Sequence, residues 1–462
     1  MLAHEHIPHL QKKHPEKPSR ITTIHQHLRE LGLLARCDCE SVRPRPATER
    51  EILLVHSAEH FAEVQAITAQ VASAPSNREL REPDGPGGIY YSPASLNAAQ
   101  LAAGCVIEMC HALLAPNTRA SSESEAGAHG AASGDSADLD AGDRANGPAV
   151  AVDAGCAPRA CMPPCALALV RPPGHHAGYD DTPGHRAEGF CFFNSVAIAA
   201  RAAIASGRAS RVLIVDYDVH HGNGTERLFW EADDVLFMSV HRYGRNFYPE
   251  TGAIEDVGEG AGLGFTVNLP WLQTGCGDAE YLAACHLLLL PIARAFDPQL
   301  VLVSAGFDAA DGDVQGGMRV TADGFAQMTS ALGTLGRPLA LALEGGYNQD
   351  VTARCVAQVM RALLGDVAPL GALDVAASSS VCAHAEAQLR AAIDAHAAYW
   401  PCLRTDAHIA LVEHFFDRSR RNASAQRASQ RVTVRAQHGG SGGAAKRQRS
   451  AAGRPSKDGT SK

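Results

Sequence analysis

The stretch RVLIVDYDVHHGNGT, residues 211–225, decides how the rest of the chain is read. Val212 to Val215 form a bounded, β-branched apolar run, which predicts a buried strand. Asp216, Asp218 and His220 follow at a spacing of two. On an extended backbone these three side chains project from one face and His221 from the other. Two carboxylates and an imidazole at the end of a buried strand make half of a metal site. A lone D-x-H is more often a solvated strand end, so the other strand ends decide.

Four further apolar runs close in the same manner. Residues 166–170 lead into RPPGHHAG, with His175 and His176, and the run 235–240 contains Ser239. Residues 300–304 are followed by AGFDAADGD, with Asp308 four positions on, and 339–343 lead into EGGYN, with Tyr347. Helical patterns at 191–206, 278–296 and 322–335 lie between them, the last opening on Thr321 as an N-cap. Near-continuous apolar strands alternating with helices predict an α/β fold with a mostly parallel, multi-stranded sheet covered on both faces. Ligand sites in such sheets lie beyond the carboxyl ends of the strands. Five polar strand ends on one side of one sheet do not arise by coincidence.

The whole chain sets bounds on function. It has 462 residues, 45% hydrophobic and 20% charged, ordinary for a soluble globular protein. No apolar stretch is expected to reach the ~20 residues of a membrane span; the run around Leu287–Phe296 contains Pro291 and Arg294. The N-terminus has no apolar signal core, so the expected location is nucleus or cytoplasm. Thirteen cysteines, without a C-x-x-C pair, predict incidental or buried thiols in a reducing compartment. Cys37/Cys39 and Cys156/Cys161/Cys165 lack the spacing of a zinc knuckle.

The net charge of −9 conceals two parts. Residues 418–462 carry twelve Lys and Arg against one acid, Asp458, which leaves −20 on the body. An acidic body argues against sequence-specific nucleic-acid binding. The Ser/Arg/Gly/Ala-rich tail is expected to be disordered, with Lys446-Arg447-Gln448-Arg449 as a candidate nuclear import signal. Residues 116–160, rich in Ala, Ser, Gly and Asp, predict a disordered insertion inside one domain, because they cannot bury enough apolar surface to offset their ordering entropy. The expected organisation is a single catalytic domain at 1–403, a closing segment at 404–417 and the basic tail at 418–462. Before the insertion, Ser19–Leu34 and Thr48–Ala69 have helical spacing, and a further helix starts after Ser92-Pro93.

RPPGHHA (171–177), GFCFFNSVAIAA (189–200), VDYDVHHGNGT (215–225), HRYG with FYPETG (241–252), VSAGFDAADGD (303–313) and LEGGYN (343–348) together resemble the zinc-dependent histone deacetylase family, most closely its class II branch. The resemblance runs from about Met1 to about Cys402, interrupted only by the insertion. It implies an arginase-like three-layer α/β/α fold with one zinc at the base of a narrow tunnel.

Carried over residue by residue, the resemblance makes Asp218, His220 and Asp308 the zinc ligands. Such a set suits a catalytic zinc, since it leaves positions for water and a substrate oxygen. His176 would be the general base, facing Asn223, and His175 the more cationic partner held by Asp216. Tyr347 would donate to the developing oxyanion. Gly189, Phe190 and Tyr248 would line the tunnel, tyrosine replacing the commoner phenylalanine at 248, and Gln315 would stand at the rim. Asp216, Asp218 and Ser239, with main-chain carbonyls at His220 and Val240, match a potassium site of the family.

The implied activity is removal of acetyl groups from lysines of histones, tubulin or other proteins, with a co-repressor complex as a possible partner. Two alternatives stand beside it: an acetylpolyamine amidohydrolase, and a non-catalytic acyl-lysine-binding co-repressor scaffold. Polyamine-preferring members carry an acid seven residues after the last zinc ligand, where this chain has the neutral Gln315. No membrane association is implied.

Overall fold

The computed structural model describes residues 14–36, 42–73, 80–81, 89–115, 162–178 and 187–439, with side-chain surroundings up to 426. The expected insertion at 116–160 and the import motif at 446–449 lie outside the described residues.

The chain opens with α1 (Ser19–Glu30), α2 (Glu49–Ile52), α3 (Ala58–Ser73), a short antiparallel pair β1 (Leu80–Arg81) and β2 (Tyr90–Tyr91), and α4 (Ser95–Leu113). The repeating part then runs β3 (Cys165–Ala168), α5 (Ser195–Ala205), β4 (Val212–Asp216), α6 (Asn223–Leu228), β5 (Val235–Arg242), β6 (Thr266–Trp271) and α7 (Asp278–Phe296). It continues with β7 (Leu300–Ala305), α8 (Ala322–Gly333), β8 (Leu339–Leu343), α9 (Gln349–Leu363) and α10 (Ala372–Ser378). Helices α11 (Ala383–His396) and α12 (Asp406–Gly439) close the order.

Strands β3 to β8 form one parallel sheet in the order β3-β8-β7-β4-β5-β6. Their alternating side chains divide between two cores, as the two-residue period of a strand requires. Leu213, Val215, Val301, Val303 and Leu341 pack with α7, α8, α9 and α11. Val212, Ile214, Leu300, Leu302 and Ala340 pack with α3, α4 and α5 on the other face. The result is the three-layer α/β/α architecture expected of the arginase-like class. Successive strands run outward from β4 to β6 on one side, and β7 then returns to the other side of β4. Beyond the ends of β4 and β7 the strand order reverses, and such a switch point opens a crevice for ligands.

Thr321 caps α8 as expected, its Oγ1 accepting from Gly324 N at 3.1 Å. Other elements depart from expectation. Strand β6 escaped notice because Asn268 and Pro270 interrupt its apolar run; proline is tolerated there because β6 is an edge strand. Helices α4 and α7 are long and apolar enough to cross a membrane by length and composition, against the expectation of no such stretch, yet both pack in the fold. Pro291 does not stop α7, because a π-helical segment at Cys285–Leu289 resets the hydrogen bonding and leaves the proline in the first turn of Leu290–Phe296.

The tail expected to be disordered from 418 is helical as far as Gly439, and the closing segment 404–417 mostly forms the start of that helix. Val412, Phe415 and Phe416 bury its first turns, and Arg390–Glu413 and Glu386–Arg420 pair it to α11. Ala, Gln and Arg then propagate the helix by propensity.

Candidate metal centre and active site

Strand β4 stops at Asp216, paired in register with Ser239 of β5 and Ser304 of β7. The backbone does not stay extended beyond it. Asp216 Oδ1 accepts from Asp218 N at 3.1 Å and Asp218 Oδ1 accepts from His220 N at 2.9 Å, local bonds that bend the chain. Asp218 and His220 therefore meet through a turn rather than along one strand face. Asp216 diverges from them, and His221 turns away to Thr251 Oγ1 at 2.8 Å.

Asp308 reaches the same point from the end of β7. Its Oδ1 accepts from Val219 N at 2.8 Å, and its Oδ2 lies 3.1 Å from His220 Nδ1, the distance Asp218 Oδ1 also keeps. One ligand atom from each of Asp218, His220 and Asp308 lies within 4.8 Å of the others. Room for these carboxylates comes from missing side chains: a Cβ at Gly306 would stand 1.9 Å from Asp218 Oδ2, and one at Gly345 would stand 2.2 Å from Asp308 Oδ2.

Asp218 and Asp308 are fully buried, and neither is paired to a lysine or arginine among the described residues. Burial and the charge of Asp218 push the Asp308 carboxyl up to about 7. Asp218 stays well below the usual carboxylate range against its burial, held there by His175 and His220. Burial works against charge on His220, but its two carboxylate partners push it up to about 9. Two carboxylates crowded on one imidazole thus hold a proton that a divalent cation would replace. Three oxygen and nitrogen donors with positions left open fit Zn2+ in a catalytic arrangement.

The two histidines are driven apart in charge. His175 Nδ1 is 2.9 Å from Asp216 Oδ2; burial opposes its charge, but Asp216 and Asp218 push it up to about 10. His176 Nδ1 is 2.7 Å from Asn223 Oδ1, and burial, followed by the charges of His175 and His220, holds it well below 6.5. Asn223 Nδ2 points to Glu188 Oε2 at 3.5 Å, which orients the amide oxygen toward the ring. His176 therefore carries its proton on Nδ1 and a lone pair on Nε2. The rings lie 4.0 Å apart, a cation beside a neutral base.

Tyr347 follows the Gly345-Gly346 turn after β8. Its backbone N and that of Asn348 donate to Asp313 Oδ2 at 2.7 and 2.9 Å. Arg20 lies 5.0 Å from the Tyr347 ring and donates to Gly346 O at 2.7 Å. Burial and the charge of Asp308 push the Tyr347 hydroxyl well above 10, so it remains a donor. Phe190 packs edge-on to Tyr347 at 5.8 Å, and Tyr248 lies 4.9 Å from the His176 ring. Gly189, at φ +55, lets Phe190 approach, since a Cβ there would stand 2.3 Å from the His176 ring. Gln315 is half-buried on the segment after Asp308, its N donating to Asp313 Oδ1 at 2.9 Å. Ser239 Oγ lies 2.9 Å from His241 Nδ1, and Val240 is buried beside it in β5.

Several groups went unassigned in the sequence. Glu344 accepts from Gly174 N at 2.6 Å and His175 N at 3.3 Å, which pins the histidine loop to the end of β8. Glu344 and Asp313 each stand in a motif already noted; for Glu344 the signal was an acid directly after a buried strand. Arg20 has no signal in the sequence, because the turn it holds lies more than three hundred positions away.

Fold and donor set together define an arginase-like α/β domain with a candidate metal centre at its strand ends. The chain belongs to the histone deacetylase family, whose domain matches residues 14–363. Human polyamine deacetylase HDAC10 is 39% identical over 398 residues, 84% of this chain and 50% of that protein. Human histone deacetylase 7 is 37% identical over 87% of this chain and 39% of that protein. Histone deacetylase 15 of Arabidopsis thaliana is 36% identical over 87% of this chain and 62% of that protein. The solved HDA15 HD domain superposes with a TM-score of 0.66 at 32% identity, covering 87% of this chain and 93% of that one. The chain spans about half the length of the curated relatives it matches.

Proposed function

We propose that this chain is a zinc-dependent deacetylase that hydrolyses the amide of N6-acetyl-lysine in histones or other proteins, giving lysine and acetate. The observation that carries this reading is the charge separation of His175 and His176 beside the convergent Asp218, His220 and Asp308. A Zn2+ held by those three residues would polarise the acyl carbonyl and acidify a water.

The chain's own groups account for the remaining steps. His176 Nε2 takes a proton from the attacking water and returns it to the departing amine. His175, kept cationic by Asp216, stabilises negative charge that develops beside it. The Tyr347 hydroxyl donates to the oxyanion. Phe190 and Tyr248 flank the uncharged acyl-lysine stem, where a free ammonium would meet a desolvation cost. A potassium ion at Asp216, Asp218, Ser239 and the carbonyls of His220 and Val240 belongs to the same proposal, as do nuclear or cytoplasmic residence and co-repressor partners.

A second reading, deacetylation of acetylpolyamines, draws on the 39% identity to human polyamine deacetylase HDAC10. Neutral Gln315 favours a protein substrate over a cationic polyamine, because its side chain carries no charge to pair with the extra ammonium groups. The deciding experiment measures acetate release by the full chain from acetylated histone and tubulin peptides and from N-acetylspermidine, with chelation and zinc add-back. Chelator-sensitive turnover, faster on the peptides, is expected. Faster turnover of N-acetylspermidine would transfer the proposal to the second reading, and no acetate from any substrate would end both.

A further inference from the structure

A second set of metal-ligating side chains lies outside the candidate active site, where the turn between β6 and α7 meets the start of α11. Cys276 is fully buried in that turn. Cys382 is the N-cap residue of α11, and His384 sits in its first turn. His384 Nε2 lies 3.3 Å from Cys382 Sγ and 3.7 Å from Cys276 Sγ, with all three donor atoms within 4.8 Å of one another. In a tetrahedral site with Zn–S of ~2.3 Å and Zn–N of ~2.0 Å, neighbouring sulfur and nitrogen donors stand about 3.5 Å apart. Both observed sulfur–nitrogen separations fall at that edge length. Both cysteines are free thiols.

The surroundings suit a cation. Glu280 Oε1 accepts from Cys382 N at 3.0 Å and Oε2 from Gly277 N at 2.8 Å, which fixes a carboxylate beside the two sulfurs. Burial, with the charge of Glu280, pushes the Cys382 thiol up, so its proton stays on until a metal ion displaces it. Two sulfurs and an imidazole form a softer donor set than the aspartates of the first centre, and select zinc over magnesium or calcium. Cys382 and His384 are half-buried, which leaves a fourth position to solvent.

We propose that Cys276, Cys382 and His384 form a second zinc site, three protein ligands with a solvent position, that staples α11 to the β6–α7 turn. That turn is tied in its own right to the segment bearing Gln315: Gly275 N donates to Gly317 O at 2.9 Å and Arg319 N to Cys276 O at 2.8 Å. The staple thus braces the rim side of the domain from behind. It rests on no part of the deacetylase reading.

The test counts metal in the purified full chain and reads its ligands after exchange into Co2+. Two zinc ions per chain are expected in the unaltered protein, and one in Cys382→Ser, in His384→Ala and in Asp308→Asn. The near-ultraviolet thiolate-to-cobalt band should persist in Asp308→Asn and vanish in Cys382→Ser. His384→Ala, at a half-buried side chain, keeps the count readable should Cys382→Ser misfold. The proposal is overturned if the unaltered chain lacks the thiolate band, if its zinc content equals that of folded His384→Ala, or if alkylation and intact mass reveal a Cys276–Cys382 disulfide.

Discussion

Asn223→Asp exchanges the amide at 2.7 Å from His176 Nδ1 for a carboxylate of nearly the same shape. The molecule contains its own control, because the Asp216 carboxylate at 2.9 Å from His175 Nδ1 leads that equally buried ring to about 10. Charges about 4 Å apart at an effective dielectric of ~20 interact by ~4 kcal/mol. That corresponds to a lift of ~3 pKa units for His176. His176 acts as a base only while neutral, so its raised pKa moves the acidic limb of the kcat/KM profile to higher pH. Below the new pKa activity falls tenfold per pH unit; above it, activity returns. With His175 and a bound metal opposing the rise, the acidic limb is expected to move up by about 2 units, with the loss of kcat/KM greatest at the acid end of the profile. The assay is kcat/KM on an acetyl-lysine peptide from about pH 5 to pH 10, with zinc content measured in parallel. An acidic limb that stays in place, with zinc retained, would refute His176 as the base and Asn223 as the partner of its Nδ1.

Tyr347→Phe should cost ~2.7–4 kcal/mol in barrier, a loss of about 10²- to 10³-fold in kcat, with zinc still bound; a near-normal rate removes Tyr347 from the chemistry. Gly306→Ala would drive a Cβ to 1.9 Å from Asp218 Oδ2, so metal content should fall and stability should drop by about 1–3 kcal/mol, as is typical of overpacking, which a lower Tm would show. A fully metallated Gly306→Ala chain with unchanged Tm would contradict the crowded carboxylate geometry. Chelation should lower Tm and zinc add-back restore it, since a ligand at 100 times its Kd contributes ~2.7 kcal/mol to the native state; calorimetry checks this directly.

The fold was legible wherever local pattern and tertiary role agreed. Val212–Val215 and Leu339–Leu343 are apolar at every position because both faces of the sheet are covered, and each run shows it. β6 was hidden because an edge strand tolerates the polar and proline residues that would disqualify a central one. The helix beyond 418 was hidden for a different reason. Its Ala, Gln and Arg composition suits a helix and a disordered tail equally, and the anchor that decides between them, Phe415 and Phe416 in the core, precedes the ambiguous stretch.

In the candidate site, the candidate metal and substrate residues were visible as polar letters after apolar runs, whereas Asp216 and Asn223 were paired with their histidines only through the family resemblance. Asp216 and Asn223 stand seven positions apart in one stretch, and spacing alone gives no reason for one to hold His175 and the other His176. That assignment depends on the turn at Asp218–His220, which separates Asp216 from its neighbours, and on α6, which starts at Asn223 and brings the amide to the second ring. Glu344, at the end of β8, and Asp313, in the loop after β7, then fix the backbones of His175 and Tyr347. The acid–base character of His176 is thus a property of the crossing of β4, β7 and β8, carried by no single motif. An amide beside one ring and a carboxylate beside the other make two adjacent, equally buried histidines chemically different, and Asn223→Asp erases that difference with little change of shape.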